Sequence, residues 1–551
     1  MGQSLTAAEV LVQSLKKRGV DHAFCVPGES YLAVLDALYD EADHIKLITC
    51  RHESGASNMA DAYGKLTGKP GICFVTRGPG ATNASIGIHT AFQDSTPLIL
   101  FIGQVASDQV EREAFQEIDY RRMFGQMAKW VAQIDDPDRV DEYVNRAFQT
   151  ATSGRPGPVV LALPEDMLTQ MTSLPTMKPH KPVQPHAHEQ DVYEAVNKLK
   201  TAKRPFVILG GSGWNKEGLA NIKLFLNRNK IPAGCAFRFQ DTLENDDDCY
   251  VGDVGIGINP ALAARIKDSD CLMVIGPRLG EMTTSGYTLL QPPVHDQTLI
   301  HVHAGAEELG RVYQADLLIN AQPSSFANQL AGVDLGRSDD DAYWLSEAKQ
   351  DYLDWTTPRQ NAGNVQVAEI WQSLREQLPR NAIITNGAGN YAAWLHRYYR
   401  YRGYKTQLAP TSGAMGYGVP AAIAAKIVEP NRTVVCAAGD GCFMMTSQEL
   451  ATAMQYDAAV IFLVFNNSMY GTIRMHQEKH YPKRVSATAL QNPDFVAYAK
   501  SFGLEAYRVT ETSQFMDAFK KAEAAGKAAL IEVMVDPEAI SPAANLSDLG
   551  K

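Results

Sequence analysis

Hydrophobic and polar positions alternate along this chain in one repeating pattern. Short apolar runs such as IKLIT, GICFVT and PLILFIG are each followed by a glycine-containing turn and then by apolar residues at helical spacing. The pattern returns in RPFVILGG and CLMVIGP, and again in AIITN, TVVCAAGD and AVIFLVFNN. Apolar runs of this length are typical of strands buried on both faces, as in parallel sheets between helix layers. The pattern therefore predicts an α/β fold.

Two polar segments divide a chain that is too long for one hydrophobic core. Its 551 residues correspond to about three domains. One segment, at residues 174–188, is rich in proline and histidine, and the other, at residues 336–341, is polar and acidic. We predict three consecutive doubly wound parallel-sheet domains at residues 1–173, 189–335 and 360–551. The first and last thirds are similar enough in pattern to be versions of one architecture.

Composition and charge exclude several classes of protein. The formal net charge of -11, without a basic run, argues against partners such as nucleic acid or anionic membranes. No run of about 18 apolar residues is present to cross a bilayer, and a Thr6/Glu9 capping box indicates an N-terminal amphipathic helix instead of a signal peptide. The eight cysteines form no C-x-x-C pair and lie mostly in apolar runs. We therefore expect reduced, buried thiols and a cytoplasmic location.

The segment TVVCAAGDGCFMMTSQELATAMQYDAAVIFLVFNN predicts a metal and phosphate site. Asp440 follows one predicted strand and Asn467 follows the next, with a helix between them. Because parallel strands end at the same edge of a sheet, these two oxygen ligands should converge, as Mg²⁺ requires. The backbone NH groups of Gly441 and Cys442, near the start of the helix, are suited to a diphosphate.

Taken separately, Gly-Asp-Gly would be a tight turn and Asn-Asn a polar strand end. Thr446 and Glu449 have the spacing of a capping box that would begin the intervening helix. The complete strand–helix–strand context favours the joint interpretation, and it resembles the GDG…NN motif of the thiamine-diphosphate-dependent enzymes. The resemblance implies thiamine diphosphate and Mg²⁺ as cofactors. We add Gly439 and Asn390 to the cofactor-binding residues and Met469 to the metal site.

Glu53 lies where a predicted strand gives way to a helix, before the glycine-rich turn GPGATN. An isolated glutamate here would be explained by the helix dipole. The motif R-H-E-x-x-A-x-x-M-A-x-x-Y-x-K, however, resembles the same family, in which this glutamate bonds the pyrimidine ring of the cofactor. A carboxyl group shared with a ring nitrogen promotes the tautomer whose imino group takes the thiazolium C2 proton. The resemblance implies that Glu53 is the activating carboxylate.

The segment LAPTSGAMGYGVPAAIAA is similar to the family segment that holds the cofactor in its bent form. The resemblance implies that Met415 is the apolar wedge and that the carbonyl of Gly413 holds the amino group, although a Met in an apolar run is more often core packing. In this family the site forms between the first domain of one subunit and the last domain of another. A homodimer or homotetramer with sites at subunit interfaces is therefore implied.

Along its whole length the chain resembles the large catalytic subunits of acetolactate synthases. GPGATNASIGIHTAFQDSTPLILFIGQV and EAFQEID follow those enzymes closely, which implies that Phe115 and Gln116 line the substrate pocket. GPRLGEMTTSGY matches a family segment whose arginine is here Arg278, and NNSMYGTIRMHQEKHYPKRVS matches a mobile active-site loop. The implied reaction is decarboxylation of a 2-oxo acid such as pyruvate, with addition of the enamine to a second carbonyl compound.

Three departures from the acetolactate synthases change these expectations. Gly28 and Glu29 stand where those enzymes have Gly-Gly, and His476 replaces a loop tryptophan. Glu29 and His476 should move acceptor choice towards aldehydes or simple protonation; the plainer alternative is that Glu29 caps the next helix and His476 faces solvent. His303 and Gly305 replace paired aspartates, so we expect FAD, a non-redox passenger in those enzymes, to bind weakly or not at all.

Three activities stay open. The first is the carboligase, and the second is a non-oxidative 2-oxo-acid decarboxylase or a benzaldehyde-lyase-like aldehyde lyase, in which a proton ends the cycle. The third is a catalytically silent homologue, which joint retention of Glu53, Gln116, Asp440 and Asn467 disfavours. The glycines at 210–213 are expected to form a plain strand–helix turn, and the acidic triplets at 246–248 and 339–341 to be solvated loops without a role.

Overall fold

The computed structural model describes residues 4–173, 178–179, 181–338 and 342–550. The first predicted linker lies partly outside the described residues, and the acidic triplet at 339–341 lies wholly outside them. The described chain forms three α/β domains in series, each built on a six-stranded parallel sheet. The predicted fold class is therefore confirmed.

The N-terminal domain contains a parallel sheet in the order β3-β2-β4-β5-β7-β6 and a small antiparallel pair of β1 with β8. Its strands are β1 (Ser4–Thr6), β2 (His22–Cys25), β3 (Lys46–Thr49), β4 (Gly71–Val75), β5 (Leu98–Gln104), β6 (Trp130–Gln133), β7 (Pro158–Pro164) and β8 (Met171–Ser173). Its helices are α1 (Ala7–Lys17), α2 (Leu32–Asp40), α3 (Glu53–Thr67), α4 (Gly78–Asp94), α5 (Tyr120–Phe124), α6 (Val140–Thr152) and α7 (Glu165–Leu168). Helix α1 begins at the capping box of Thr6 and Glu9, as predicted.

The central domain has the strand order β11-β10-β9-β12-β13-β14, the doubly wound arrangement of the dinucleotide-binding folds. Its strands are β9 (Pro205–Leu209), β10 (Ala233–Ala236), β11 (Tyr250–Val254), β12 (Cys271–Ile275), β13 (Thr298–His303) and β14 (Leu317–Asn320). Its helices are α8 (Glu189–Thr201), α9 (Lys216–Asn229), α10 (Pro260–Asp268) and α11 (Pro323–Leu330). Helix α12 (Ala342–Trp355) packs against α10 and β11.

The C-terminal domain repeats the strand order of the N-terminal one, as β16-β15-β17-β18-β20-β19. Its strands are β15 (Ile383–Asn386), β16 (Gln407–Leu408), β17 (Val434–Gly439), β18 (Ile461–Asn466), β19 (Glu505–Val509) and β20 (Ala529–Met534). Its helices are α13 (Val367–Gln377), α14 (Tyr391–Tyr398), α15 (Gly418–Val428), α16 (Asp440–Met444), α17 (Leu450–Gln455), α18 (Gly471–His480), α19 (Phe495–Ser501) and α20 (Phe515–Ala524). The similarity of the first and last thirds is thus present in the fold.

The N- and C-terminal domains share one hydrophobic core within the chain. Helix α3 packs against α15, and a single cluster of buried side chains extends from the first sheet to the last. The strands β4, β5, β7, β17 and β18 are buried along their full length, as the apolar runs predicted. All eight cysteines are buried and free. Across the described ranges, no helix is long and apolar enough to cross a membrane.

Candidate active site

A cavity of about 230 Å³ lies at the carboxyl edge of the C-terminal sheet. Every described residue that lines it belongs to the C-terminal domain. The lining includes all the predicted cofactor and metal residues of that domain: Asn390, Gly413, Met415, Gly439, Asp440, Gly441, Cys442, Asn467 and Met469. The sequence motifs therefore converge on one cavity, and their roles there stay predictions.

Strand register explains why the two halves of the metal motif meet. β17 and β18 are parallel neighbours, with Gly439 opposite Phe465, so the residues that follow each strand emerge side by side. Helix α16 begins at Asp440, which places the amides of Gly441 and Cys442 in its first turn, where a helix has no acceptors of its own. These groups can receive an anionic ligand.

Asp440 is held in a buried polar setting. Its side chain is only 2% exposed, and the amide of Asn492 donates a 2.7 Å hydrogen bond to its Oδ2. Burial raises the pKa of Asp440, because a charged carboxylate loses its hydration there. No cluster of three or more His, Cys, Asp or Glu side chains is found in the described chain. A hard cation at Asp440 and Asn467 would thus have to complete its shell with other oxygens, as Mg²⁺ does with phosphates and water.

A network of hydrogen-bonded polar side chains holds Asp440 on the side away from the cavity. The sequence pattern did not predict this network. Asn492 also donates to Oδ1 of Asn466 at 3.0 Å, and Asn466 donates to Glu532 at 2.8 Å. Glu532 is 2% exposed and accepts a 2.7 Å bond from Arg508. Asn466, the first residue of the Asn-Asn pair, therefore faces this network, whereas Asn467 lines the cavity. The pairing with Glu532 on β20 carries no local sequence signal.

Two further contacts shape the cavity walls. Asn390 accepts a 2.8 Å bond from Thr472 and donates one to the carbonyl of Ile540 at 2.8 Å. Thr472 belongs to α18, so a large part of the segment matched to a mobile loop is helical.

His476, on the same helix, is exposed and its ring stacks on His480 with centroids 6.2 Å apart. Hence His476 is not brought to the cavity, which agrees with the solvent-facing alternative.

Cys442 fixes the segment that carries Met415. Its sulfur accepts hydrogen bonds from the amide of Gly416 at 3.2 Å and from the hydroxyl of Tyr391 at 3.4 Å. Met415 is partly buried against the domain core. Gly413 has a left-handed backbone with φ of 67° and lines both this cavity and a second one of about 430 Å³.

The predicted Arg278 lies in that second cavity and not in the first. Its Nε donates to Glu308 at 3.1 Å, and Glu308 also pairs with Arg155 at 2.5 Å. His303 is buried and accepts a hydrogen bond from the amide of Gly305 at 3.0 Å.

Packing explains the glycines of the loop at 210–213. A Cβ on Gly211, whose φ is 71°, would lie 2.1 Å from the carbonyl oxygen of Gly276. The glycines therefore fit a plain strand–helix turn.

Glu53 is the first residue of α3 and lies outside the cavity. It is half-buried, and Asn83 on α4 donates to its Oε2 at 3.0 Å. A Cβ on Gly80 would come within 3.5 Å of the other carboxylate oxygen. The expectation of a glycine-rich turn at GPGATN was wrong, because α4 already begins at Gly78 with proline in its first turn. The carboxylate is therefore presented between two helix N-termini.

The other predicted residues of the N-terminal domain follow strands of the same parallel sheet and lie at the sheet edge that carries Glu53. A Cβ on Gly28 would lie 2.4 Å from Thr76, and a Cβ on Gly78 would lie 2.7 Å from the carbonyl oxygen of Gln116. Gln116 has a left-handed backbone with φ of 65°. Phe115 is 74% exposed. The glycines let these segments approach closely at one edge of the sheet.

Glu29 is exposed at the start of a short 3-10 helix, Glu29–Tyr31. Gly28 occupies the N-cap of that helix, and neither it nor α2 has a side-chain cap. The alternative that Glu29 caps the following helix is therefore wrong. Its carboxyl group lies at the same sheet edge as Glu53 without a capping role.

The predicted capping box of Thr446 and Glu449 was also wrong. Thr446 makes no side-chain cap and instead donates to the carbonyl of Gly416 at 2.7 Å. Glu449 accepts from the backbone amides of Arg51 and His52 in the N-terminal domain. The local spacing suits a capping box, but Thr446 finds its partner within its own domain and Glu449 finds its partners in the N-terminal domain.

Comparison with known proteins gives the same division into three domains. Models of thiamine pyrophosphate enzymes match residues 5–123 as the N-terminal TPP binding domain, 192–330 as the central domain and 387–533 as the C-terminal TPP binding domain. The chain therefore belongs to the family of thiamine pyrophosphate enzymes and is a thiamine-pyrophosphate-dependent enzyme of the transferase or lyase type.

Within that family the chain is similar to acetolactate synthases over nearly its whole length. The probable acetolactate synthase large subunit of Methanocaldococcus jannaschii is 31% identical, over 98% of this chain and 93% of its own. The acetolactate synthase of Bacillus subtilis is 30% identical, over 96% and 93%. The large subunit from Lactococcus lactis is 30% identical, over 94% and 90%.

Proposed function

We propose that this protein is a carboligase that decarboxylates a 2-oxo acid, with pyruvate as the first candidate, and joins the remaining fragment to a second carbonyl compound. The observation that carries the proposal is the convergence of Asp440, Asn467, Gly441 and Cys442 on one cavity. The names of the similar acetolactate synthases support the same reaction.

The cavity fits thiamine diphosphate with Mg²⁺. Asp440 and Asn467 supply hard oxygens, Met469 is available beside them, and the first turn of α16 supplies amides for phosphate. When bound, the cofactor supplies an acidic carbon that adds to the carbonyl group of a 2-oxo acid. Met415 and Gly413 would orient the cofactor, and Glu53 would hold a proton at the pyrimidine ring.

We further propose that the complete site forms between two copies of the chain. Glu53 lies outside a cavity whose described lining comes from the C-terminal domain alone. The N-terminal segment around Glu53 packs instead on residues near Glu449 of its own chain. A second copy can bring its Glu53, Phe115 and Gln116 to the open side of the cavity, which requires at least a homodimer.

Product analysis tests the proposed reaction. The enzyme loaded with cofactor and Mg²⁺ is given pyruvate alone, and the products are separated. Acetolactate would support the carboligase, acetaldehyde would favour a decarboxylase, and no turnover of pyruvate would exclude it as the donor.

A second candidate function is favoured by Glu29, an exposed carboxyl group at the sheet edge that carries Glu53. A proton donor there would end the cycle by protonation, as in a 2-oxo-acid decarboxylase or an aldehyde lyase. The test is a Glu29→Gly, His476→Trp double variant, assayed with pyruvate alone and with an aldehyde. The ratio of acetolactate to aldehyde-derived products should rise; an unchanged ratio would remove both positions from acceptor choice.

We propose that FAD is bound weakly or not at all. Arg278 is engaged by Glu308, and His303 is bonded to the amide of Gly305 where the acetolactate synthases are expected to have acids. A protein isolated with stoichiometric flavin that is released on denaturation would contradict this proposal.

A further inference from the structure

We propose that Glu449 of the C-terminal domain is a positioning residue for Glu53 of the same chain. This inference rests on the proposed role of Glu53 and extends it to a group that never reaches the substrate. Glu449 lies in a short 3-10 helix, Ser447–Glu449, directly before α17.

Glu449 is enclosed between the two domains. Its side chain is fully buried, with 0% exposure. Its Oε1 accepts hydrogen bonds from the backbone amides of Arg51 at 3.1 Å and His52 at 3.0 Å, and Thr452 donates to its Oε2 at 2.6 Å. A buried carboxylate is retained only when such bonds satisfy it.

The two amides that Glu449 holds immediately precede Glu53. His52 is the N-cap of α3, so its position sets both the start of the helix and the direction of the first side chain. Gly55 reinforces this contact, because a Cβ there would lie 2.3 Å from Oε1 of Glu449. The carboxylate therefore fixes the first turn of α3 from outside the N-terminal domain.

Two neighbouring contacts also hold this segment. The amide of Thr49 donates to the hydroxyl of Tyr456 at 2.8 Å, and the guanidinium of Arg51 donates to Gln455 at 2.7 Å. The contact to Gln455 is exposed, so water can replace it. Glu449 is itself fully buried, whereas Tyr456 is half-buried and Gln455 is exposed, so among these three acceptors the carboxylate of Glu449 has the least access to water.

The experiment compares Glu449→Ala and Glu449→Gln with the parent protein. In the cofactor-free protein, hydrogen–deuterium exchange is followed by mass spectrometry in peptides that span residues 50–56. In the loaded enzyme, the C2 proton exchange of bound thiamine diphosphate is followed by quenched NMR, and the cofactor Kd is measured by calorimetry.

Glu449→Ala should unprotect the 50–56 peptides and slow C2 exchange by about 10–100-fold, since misplacing a reacting group by an ångström has effects of that size. The cofactor Kd should change less than about threefold, because the diphosphate cavity is left intact. Glu449→Gln should restore both properties to near the parent values, because a single amide oxygen can accept from both backbone amides.

Asp241 provides the matched control. Its Oδ2 also accepts two successive backbone amides across a domain boundary, from Thr406 at 3.0 Å and Gln407 at 3.2 Å. Asp241→Ala should therefore unprotect peptides around 406–407 while leaving the 50–56 peptides and C2 exchange unchanged.

Parent-like protection and exchange in Glu449→Ala would overturn the inference, as would equal slowing of C2 exchange in Asp241→Ala. A parent protein without any enzyme-promoted C2 exchange would instead overturn the proposed function. The peptide protection would still report on Glu449 in that case, so the two failures are distinguishable.

Discussion

The N- and C-terminal domains have the same strand order but offer different halves of a site. In the C-terminal domain the edge of the sheet is closed into a cavity, and Asp440 there is 2% exposed. In the N-terminal domain the equivalent edge presents half-buried Glu53 and strongly exposed Phe115 at the surface. The same fold thus forms a cavity in the C-terminal domain and an exposed sheet edge in the N-terminal domain. The C-terminal cavity should determine cofactor binding, and the N-terminal sheet edge with Glu53 should determine reactivity.

The largest expected effect tests Glu53 at the N-terminal sheet edge. Glu53→Gln should slow C2 proton exchange by about 10²–10⁴-fold, because a neutral amide cannot drive the proton transfer. The cofactor Kd should stay within a few-fold of the parent value, since the substitution leaves the lining of the C-terminal cavity intact. Glu194→Gln, on α8 of the central domain, is the control for loss of a carboxylate. Exchange at the parent rate would remove Glu53 from the mechanism.

The next largest effect tests the metal site in the C-terminal cavity. Asp440→Ala should weaken Mg²⁺-dependent retention of thiamine diphosphate by about 100-fold or more, because an oxygen ligand and its charge are lost together. Calorimetry with Mg²⁺ and with EDTA measures the difference. Asp517→Ala, which removes an exposed carboxylate of the same domain, should leave the affinity unchanged. If Asp440→Ala kept the parent affinity and Mg²⁺ dependence, the assignment of the metal motif would be wrong.

A smaller effect is expected from the residue behind the metal site. Asn492→Ala removes the 2.7 Å hydrogen bond to Asp440 and should lower the apparent Mg²⁺ affinity by about 10-fold. A Mg²⁺ titration of cofactor binding measures it. Gln491→Ala, its exposed neighbour, is the control; equal effects of the two variants would show that Asn492 does not orient the ligand.

These two halves differed in how far sequence could predict them. The motif around Asp440 is local, since both of its parts end neighbouring parallel strands, and so its convergence followed from strand order. Asn492 and Glu532 meet it from distant segments, and no spacing rule finds them. Glu449 was misassigned for the same reason: its spacing from Thr446 suits a capping box, but its partners, the amides of Arg51 and His52, come from another domain.

A further effect, on stability and not on the site, concerns a carboxylate outside both halves. Burial raises the pKa of Asp241 to about 6, a shift only partly offset by the amides of Gln407 and Thr406. The folded protein therefore holds this proton more tightly than the unfolded chain does. Its contribution to the free energy of unfolding should fall by on the order of 2 kcal/mol as pH rises from about 4 to 6, and stay low above that.

Asp241→Asn abolishes this titration. The melting temperature of the variant relative to the parent should therefore rise between pH 4 and 6, as measured by calorimetry at a series of pH values. A difference that is independent of pH over this window would contradict the assignment of a raised pKa to Asp241.

The central claim is that the C-terminal cavity of one chain is completed by the N-terminal sheet edge of a second chain, which carries Glu53. Mixing two inactive variants tests this claim most directly. Glu53→Gln and Asp440→Ala chains are unfolded together, refolded and assayed for C2 exchange, with each variant refolded alone as the control. A site shared between chains leaves each mixed dimer with one intact pair of Glu53 and Asp440, so about a quarter of parent activity should return. Mixtures as inactive as the separate variants would contradict the shared site.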